Sequence, residues 1–237
     1  MNKVGRVVIF IIFAVGTLFG MLLSGATTAA ALESDFYFGF GYQADESLKD
    51  LKCPIILTGD EIGTVAVTLS NPNEKEIEPL FQVDIGNEGL FRTYRDRMYI
   101  PVGESQTLQW TVSREDAVFK YLILVKLFQF AAFKTPTRDG SCGIVYLDVP
   151  FSGTQVLIFA IVISVVGMAL GIFLWSTMNK SQSIQKTRVS RAMIVMAVSV
   201  ILAMVVALLG IWMLGVLLFM ISLLLIAEVI RSFIAAD

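Results

Sequence analysis

Between Asp148 and Asp237 the chain holds two long stretches without a charged residue, parted by the basic segment KSQSIQKTRVSR (Lys180–Arg191). Stretches of this kind are hydrocarbon-compatible, and they leave nearly all remaining charge between Glu33 and Asp148. That arrangement, with 56% apolar residues and a mean hydropathy of +0.74, excludes an ordinary soluble domain. It predicts an integral membrane protein with one folded domain outside the bilayer.

The sign of the charges orients the expectation. Glu33–Asp148 carries 18 acidic and 11 basic residues, a net charge of −7. Elsewhere stand seven cations (Lys3, Arg6, Lys180, Lys186, Arg188, Arg191 and Arg231) against Glu228 and Asp237 alone. Lys and Arg beside apolar spans resist translocation and mark the cytoplasmic side. If the chain crosses four times, starting inside, every flanking cation falls on one side. The acidic domain is then extracytoplasmic and the C-terminus cytoplasmic.

Five segments follow from this reading. Residues 1–32 form a signal sequence or an uncleaved anchor helix: Lys3 and Arg6 precede the apolar run Val7–Leu23, and Ala29-Ala30-Ala31 matches an A-x-A cleavage site. The run is longer than an ordinary signal core of about 7–15 residues, so both readings stand. Residues 33–150 form the exported domain and 151–178 a single span. Residues 179–191 form a basic cytoplasmic loop, adequately explained by topology and attraction to anionic lipid. Residues 192–237 hold a hairpin, because the 36 uncharged residues Ala192–Ala227 would make one helix of about 54 Å, far beyond the bilayer. Gly210 and Gly215 bracket the expected turn.

Within the spans, small residues recur every four positions: Gly16, Gly20 and Ser24; Gly167 and Gly171; Ser199, Ala203 and Ala207. Such stripes let helix backbones approach closely in lipid, inside one chain or between subunits. Glu228 and Arg231 sit at helix-surface spacing near the end of the hairpin and read as an interfacial pair.

In the exported domain the apolar period is two. Val65, Val67 and Leu69; Phe81, Val83 and Ile85; Leu108, Trp110 and Val112 each alternate with polar or small residues and are bounded by turn signals such as Asn71-Pro72-Asn73. About seven short strands are expected, in an antiparallel β-sandwich. The segments TVAVTLSNPNEKEI (Thr64–Ile77) and PVGESQTLQWTV (Pro101–Val112) resemble the strand and turn grammar of immunoglobulin-like envelope domains. The resemblance spans about residues 60–150 and implies the sandwich alone; the antibody core disulfide is absent and no functional residue carries over.

Cys53 and Cys142, both in the exported segment, are expected to form a disulfide, each standing just before a strand, the first and the last of the sandwich. Two surfaces stand out. In FYFGFGY, Phe36, Phe38, Phe40 and Tyr42 share one strand face, to be packed inward, laid at headgroups or met by a partner. Along Phe119–Phe130, Tyr121, Ile123, Val125 and Leu127 form a core face, while Leu122, Leu124, Phe128 and Phe130 make the other face apolar too. A strand apolar on both faces needs a second cover, from the domain's own loops, another protein or lipid, and the expectation tested is that another chain covers Leu122, Leu124 and Phe128. Arg92–Arg97 is the one basic run outside.

With no histidine in the sequence, imidazole-based catalysis, His-ligated metals and imidazole pH switching are excluded. No phosphate-binding glycine loop or EF-hand string occurs. The expectation is a non-catalytic protein without cofactor or nucleic-acid partner, a structural or accessory subunit that meets lipids and other membrane subunits. An envelope adhesin or sensor is the alternative, and a transport-system component the third reading.

Overall fold

The structure, a computed structural model, describes residues 3–38, 44–48, 50–87, 90–178 and 184–234. Four helices are long and apolar enough to cross a membrane: α1 (Lys3–Tyr37), α2 (Gly153–Met178), α3 (Ile184–Leu208) and α4 (Trp212–Ile234). Among the described residues ten strands lie between α1 and α2: β1 (Glu46–Ser47), β2 (Leu51–Lys52), β3 (Ile56–Thr58), β4 (Gly63–Ser70), β5 (Leu80–Asn87), β6 (Leu90–Arg97), β7 (Ser105–Val112), β8 (Ala117–Val118), β9 (Leu122–Gln129) and β10 (Arg138–Leu147). The chain divides into two units, a helical one (Met1–Thr28 with Gln155–Asp237) and a β-rich one (Ala29–Thr154).

In the helical unit each helix buries a narrow seam. On α2 it is Ser164, Met168, Gly171 and Trp175; on α4 it is Gly215, Ser222 and Val229. These spacings of three, four and seven are those of helices packed with their axes nearly aligned. The wider stripe of α3 runs through Val189, Met193, Met196, Val200, Ala203 and Ala207. Glycine decides how near α1 and α2 come. A Cβ on Gly16 would stand 2.7 Å from the Met168 nitrogen and 2.8 Å from the Ser164 oxygen, and one on Gly167 2.9 Å from the Gly16 Cα. A Cβ on Gly171 would stand 2.6 Å from the Phe13 Cβ. Gly20 abuts Ser164 and Val200. Ser199 and Ser222 join α3 to α4 through a buried hydroxyl pair at 2.9 Å. The small-residue stripes are thus occupied within the chain.

The α3–α4 turn is tighter than the sequence suggested and lies earlier. Gly210 takes the left-handed conformation (φ +73°), its N–H donates to the Ala207 carbonyl and that of Ile211 to the Val206 carbonyl. This is a Schellman ending, in which glycine carries no Cβ penalty. Gly215 belongs to α4, where a Cβ would meet Thr28. The basic segment expected as a loop is helical from Ile184 onward; Lys180–Ser183 lies outside the described residues.

In the β-rich unit, one sheet runs β1-β10-β9-β5-β6, with β3 also on β10 and β8 on β9; the other runs β2-β4-β7. Between them lies one core, to which Val65, Val67, Trp110 and Val112 contribute from the smaller sheet and Phe81, Val83, Ile85, Ile123, Val125, Leu127 and Ile144 from the larger. Each is the inward member of an alternating run, which is why the strands form where they do. The first strand is split: β1 and β3 pair with β10 in parallel, while β2 crosses to β4. Cys53 lies in this crossing and is bonded to Cys142, with Cα atoms 6.5 Å apart. Cys142 sits inside β10, not before it, because β10 begins at Arg138. The bond closes an 89-residue separation, worth about 4–5 kcal/mol in chain-entropy terms.

The outer face of β9 corrects an expectation. Leu122, Leu124 and Phe128 are 6%, 0% and 6% exposed. They are buried against other parts of this same chain, which supplies the cover. The last turns of α1 lie along β10: Ala30 rests against Gly143, Ser34 Oγ lies 3.0 Å from the Cys142 carbonyl and 3.2 Å from that of Val125, and Asp35 meets Ser141. Gly143 is the ladder partner of Leu124. Any side chain there would drive into the Ala30 backbone, so the glycine lets a helix settle on the sheet. Phe36 and Tyr37 are therefore helical, not a strand, with Phe36 exposed. Phe38 follows the helix and packs on Phe91 at 5.5 Å; Phe40 and Tyr42 lie outside the described residues. Two further details differ. Phe119 and Lys120 have φ of 54° and 68°, which makes the strand start at Leu122 and leaves Tyr121 exposed; Phe130 follows β9, half-buried and edge-to-face with Phe128 at 4.9 Å. Leu124→Ala should thus lower the unfolding free energy of the sandwich by about 2–5 kcal/mol, as read by denaturant unfolding. A change near zero would mean the outer face contributes no packing.

Candidate interaction site

Strands β6 and β7 end the two sheets, and both are eight residues long. Their side chains bridge the sheets on this flank. Trp110 Nε1 on β7 donates to Asp96 Oδ2 on β6 at 2.7 Å. Arg92 on β6 pairs with Asp116, a fully buried carboxylate in the short 3-10 turn after β7 that also accepts the Ser113 N–H at 2.9 Å. A buried charge without a partner is costly, so this pair holds the turn and the edge together.

The opposite face of β6 joins a second polar set. Thr93 Oγ1 donates to Asp84 Oδ1 at 2.6 Å, Gln82 Nε2 to Asp84 Oδ2 at 3.2 Å and Arg95 Nε to Gln82 Oε1 at 3.2 Å. Beside them Lys126 pairs with Asp139 across β9 and β10. In the basic run Arg92–Arg97, then, Arg92, Arg95 and Asp96 have partners in the domain. The pairing with Asp116 and Trp110 was invisible in the sequence because Trp110 lies on the next strand, β7, and Asp116 beyond it. Among the described residues no strand pairs with the outer edge of β6, which is flanked by exposed Phe91, Tyr94 and Arg97.

An open cleft of about 520 Å³ lies at one end of the sandwich, lined by Thr58, Gly59, Glu61, Asp148, Val149 and Phe151 among others. Some of its polar atoms are engaged: Glu61 Oε2 accepts from the N–H groups of Thr58 (3.3 Å) and Gly153 (2.9 Å), and the Tyr146 hydroxyl donates to the Gly59 carbonyl at 2.8 Å. At the other end the Tyr99 hydroxyl donates to Glu76 Oε2 at 2.6 Å, and this bond to a carboxylate raises the phenol above its ordinary pKa of 10.0. No group of three or more metal-ligating side chains occurs among the described residues. The expected site residues fall into three places. Cys53 and Cys142 brace the core, Leu122, Leu124 and Phe128 form a covered layer, and the small residues of the helices lie in seams.

No protein-family model and no curated protein matches the chain. Among solved structures, a Paenibacillus cycloisomaltooligosaccharide glucanotransferase is similar over 45% of this chain and 14% of its own, at 14% identity and a TM-score of 0.32. The CARDB domain of a Pyrococcus furiosus protein is similar over 45% and 96%, at 9% identity and 0.31. A Bacteroides uniformis β-glucuronidase is similar over 40% and 12%, at 12% identity and 0.30. This chain spans about a seventh of the glucanotransferase's length. These neighbours are β-rich domains, and likeness at this level carries no argument about activity.

Proposed function

We propose that this chain is a non-catalytic structural or accessory subunit of a larger membrane assembly, held by four spans, with an immunoglobulin-like sandwich on the extracytoplasmic side. The observation that carries the reading is the β6 edge. It is eight residues long, in unbroken register with β5, and among the described residues no strand pairs with its outer side. Such an edge is a template for a strand from another protein, and arginines beside it discourage indiscriminate pairing while favouring an acidic partner. The helical seams and the outer face of β9 are filled by the chain itself, so a partner is met at the edge.

Sidedness is supported by the seven cations that flank the spans against the net charge of −7 in Glu33–Asp148, and by a disulfide suited to an oxidising compartment. We read α1 as a retained anchor, because Ala30 and Ser34 cover β10 and cleavage at Ala29-Ala30-Ala31 would strip part of that cover. A second reading, an envelope module that binds an external ligand, is favoured by the open cleft beside Glu61.

A single cysteine introduced at Ser183 should resist a membrane-impermeant thiol reagent in intact cells and react after permeabilisation. Reaction in intact cells would reverse the topology. After extraction in mild detergent, native mass measurement should find the full 26.1 kDa chain bound to another subunit at fixed stoichiometry, and Arg95→Glu with Arg97→Glu should release that subunit. A folded chain found alone would contradict the subunit reading and favour the ligand-binding one.

A further inference from the structure

We infer that the end of the sandwich from which α2 departs is a lipid-contact surface, where exposed apolar side chains enter the headgroup layer of the membrane. Three loops meet there. The β3–β4 loop presents Ile62, the β8–β9 turn presents Phe119 and Tyr121, and the segment after β10 presents Phe151; they are 69%, 56%, 57% and 62% exposed. The register places them together. Leu122 pairs with Val145, Leu147 with Thr58, and Gly63 with Val112, so the 59–62, 119–121 and 148–152 segments all leave the sheets at one end. Tyr121 is held there by its carbonyl, which accepts the Tyr146 N–H at 2.9 Å.

Large apolar and aromatic side chains left in water forfeit the free energy that burial would gain. Chain continuity identifies what covers them. Phe151 stands two residues before Gly153, where a 25-residue apolar span begins, so the membrane surface lies within a few residues of this end. At a bilayer interface, aromatic rings and an adjacent cation are the favoured side chains, and Lys120 stands between Phe119 and Tyr121. The far end of the sandwich is different in kind. Its exposed rings are engaged by charged groups, Tyr99 by Glu76 and Phe133 by Lys75 and Lys134, whose ammonium groups lie 5.4 and 5.6 Å from its ring.

The test is depth-resolved fluorescence on the full chain reconstituted in phosphatidylcholine–phosphatidylglycerol vesicles, with a polarity-sensitive dye on one introduced cysteine at a time. Dye at Tyr121→Cys, and independently at Ile62→Cys, should emit to the blue of dye at Val102→Cys on the far end. It should also be quenched severalfold more strongly by a headgroup nitroxide. Dye at Phe159→Cys on α2 should be quenched by acyl-chain nitroxides and reports whether the span is in the bilayer. Water-like emission at positions 62 and 121 with a buried dye at 159 would overturn the lipid contact alone. A water-like signal at 159 as well would overturn the membrane reading on which the inference rests.

Discussion

The β-rich unit depends on a helix being allowed to lie against a sheet. Strand β9 is apolar on both faces, so its inner residues make the sandwich core and its outer residues need a layer of their own. The last turns of α1 help to provide it, and the fit turns on two small residues. Gly143 removes the side chain that would hold the helix away, and Ser34, fully buried, places its hydroxyl within reach of two strand carbonyls. A buried hydroxyl with no acceptor would be destabilising; one between two carbonyls is satisfied. The same helix contributes residues to both units, so its sequence serves a helical seam up to Thr28 and a sheet layer after it.

Around that contact the domain relies on cross-sheet polar pairs as much as on its core. The β6–β7 flank is held by Trp110 with Asp96 and by Arg92 with Asp116, and the split first strand is fixed by the Cys53–Cys142 bond. These devices restrain the places where a sandwich of this size opens most easily, its edges and its first strand. Among the described residues they leave β6 without a strand on its outer side. The helical unit uses a different chemistry. On the proposed membrane reading there is little hydrophobic drive between these helices, and close approach through glycine, alanine and serine replaces it.

Much of the fold was legible in the sequence because two periods are distinct. Charge-free runs located four apolar helices, and alternation located the strands through Val65–Leu69, Phe81–Ile85 and Trp110–Val112. Readings failed where a local pattern met a longer-range constraint. FYFGFGY alternates like a strand, yet Phe36 and Tyr37 continue a helix already running and packed on β10. The two-faced apolarity of Leu122, Leu124 and Phe128 announced a missing cover, but the residues that supply it stand about 90 positions earlier. The hairpin turn fell at Gly210 and not at Ile211–Leu214, because a positive φ is needed at one residue and a Schellman ending needs no more. The candidate edge was hidden for a similar reason: the partners of Arg92 and Asp96 lie beyond β7 and on it, and sequence spacing carries no record of that adjacency.

The central claim is that the end of α1 is a structural layer of the sandwich. Hydrogen exchange on the full chain in a bilayer measures this directly. The amides of Ala30–Tyr37 should exchange as slowly as those of β9 and β10, since both open only when the sandwich does. Exchange of these amides on the timescale of a frayed helix end, with β9 still protected, would contradict it.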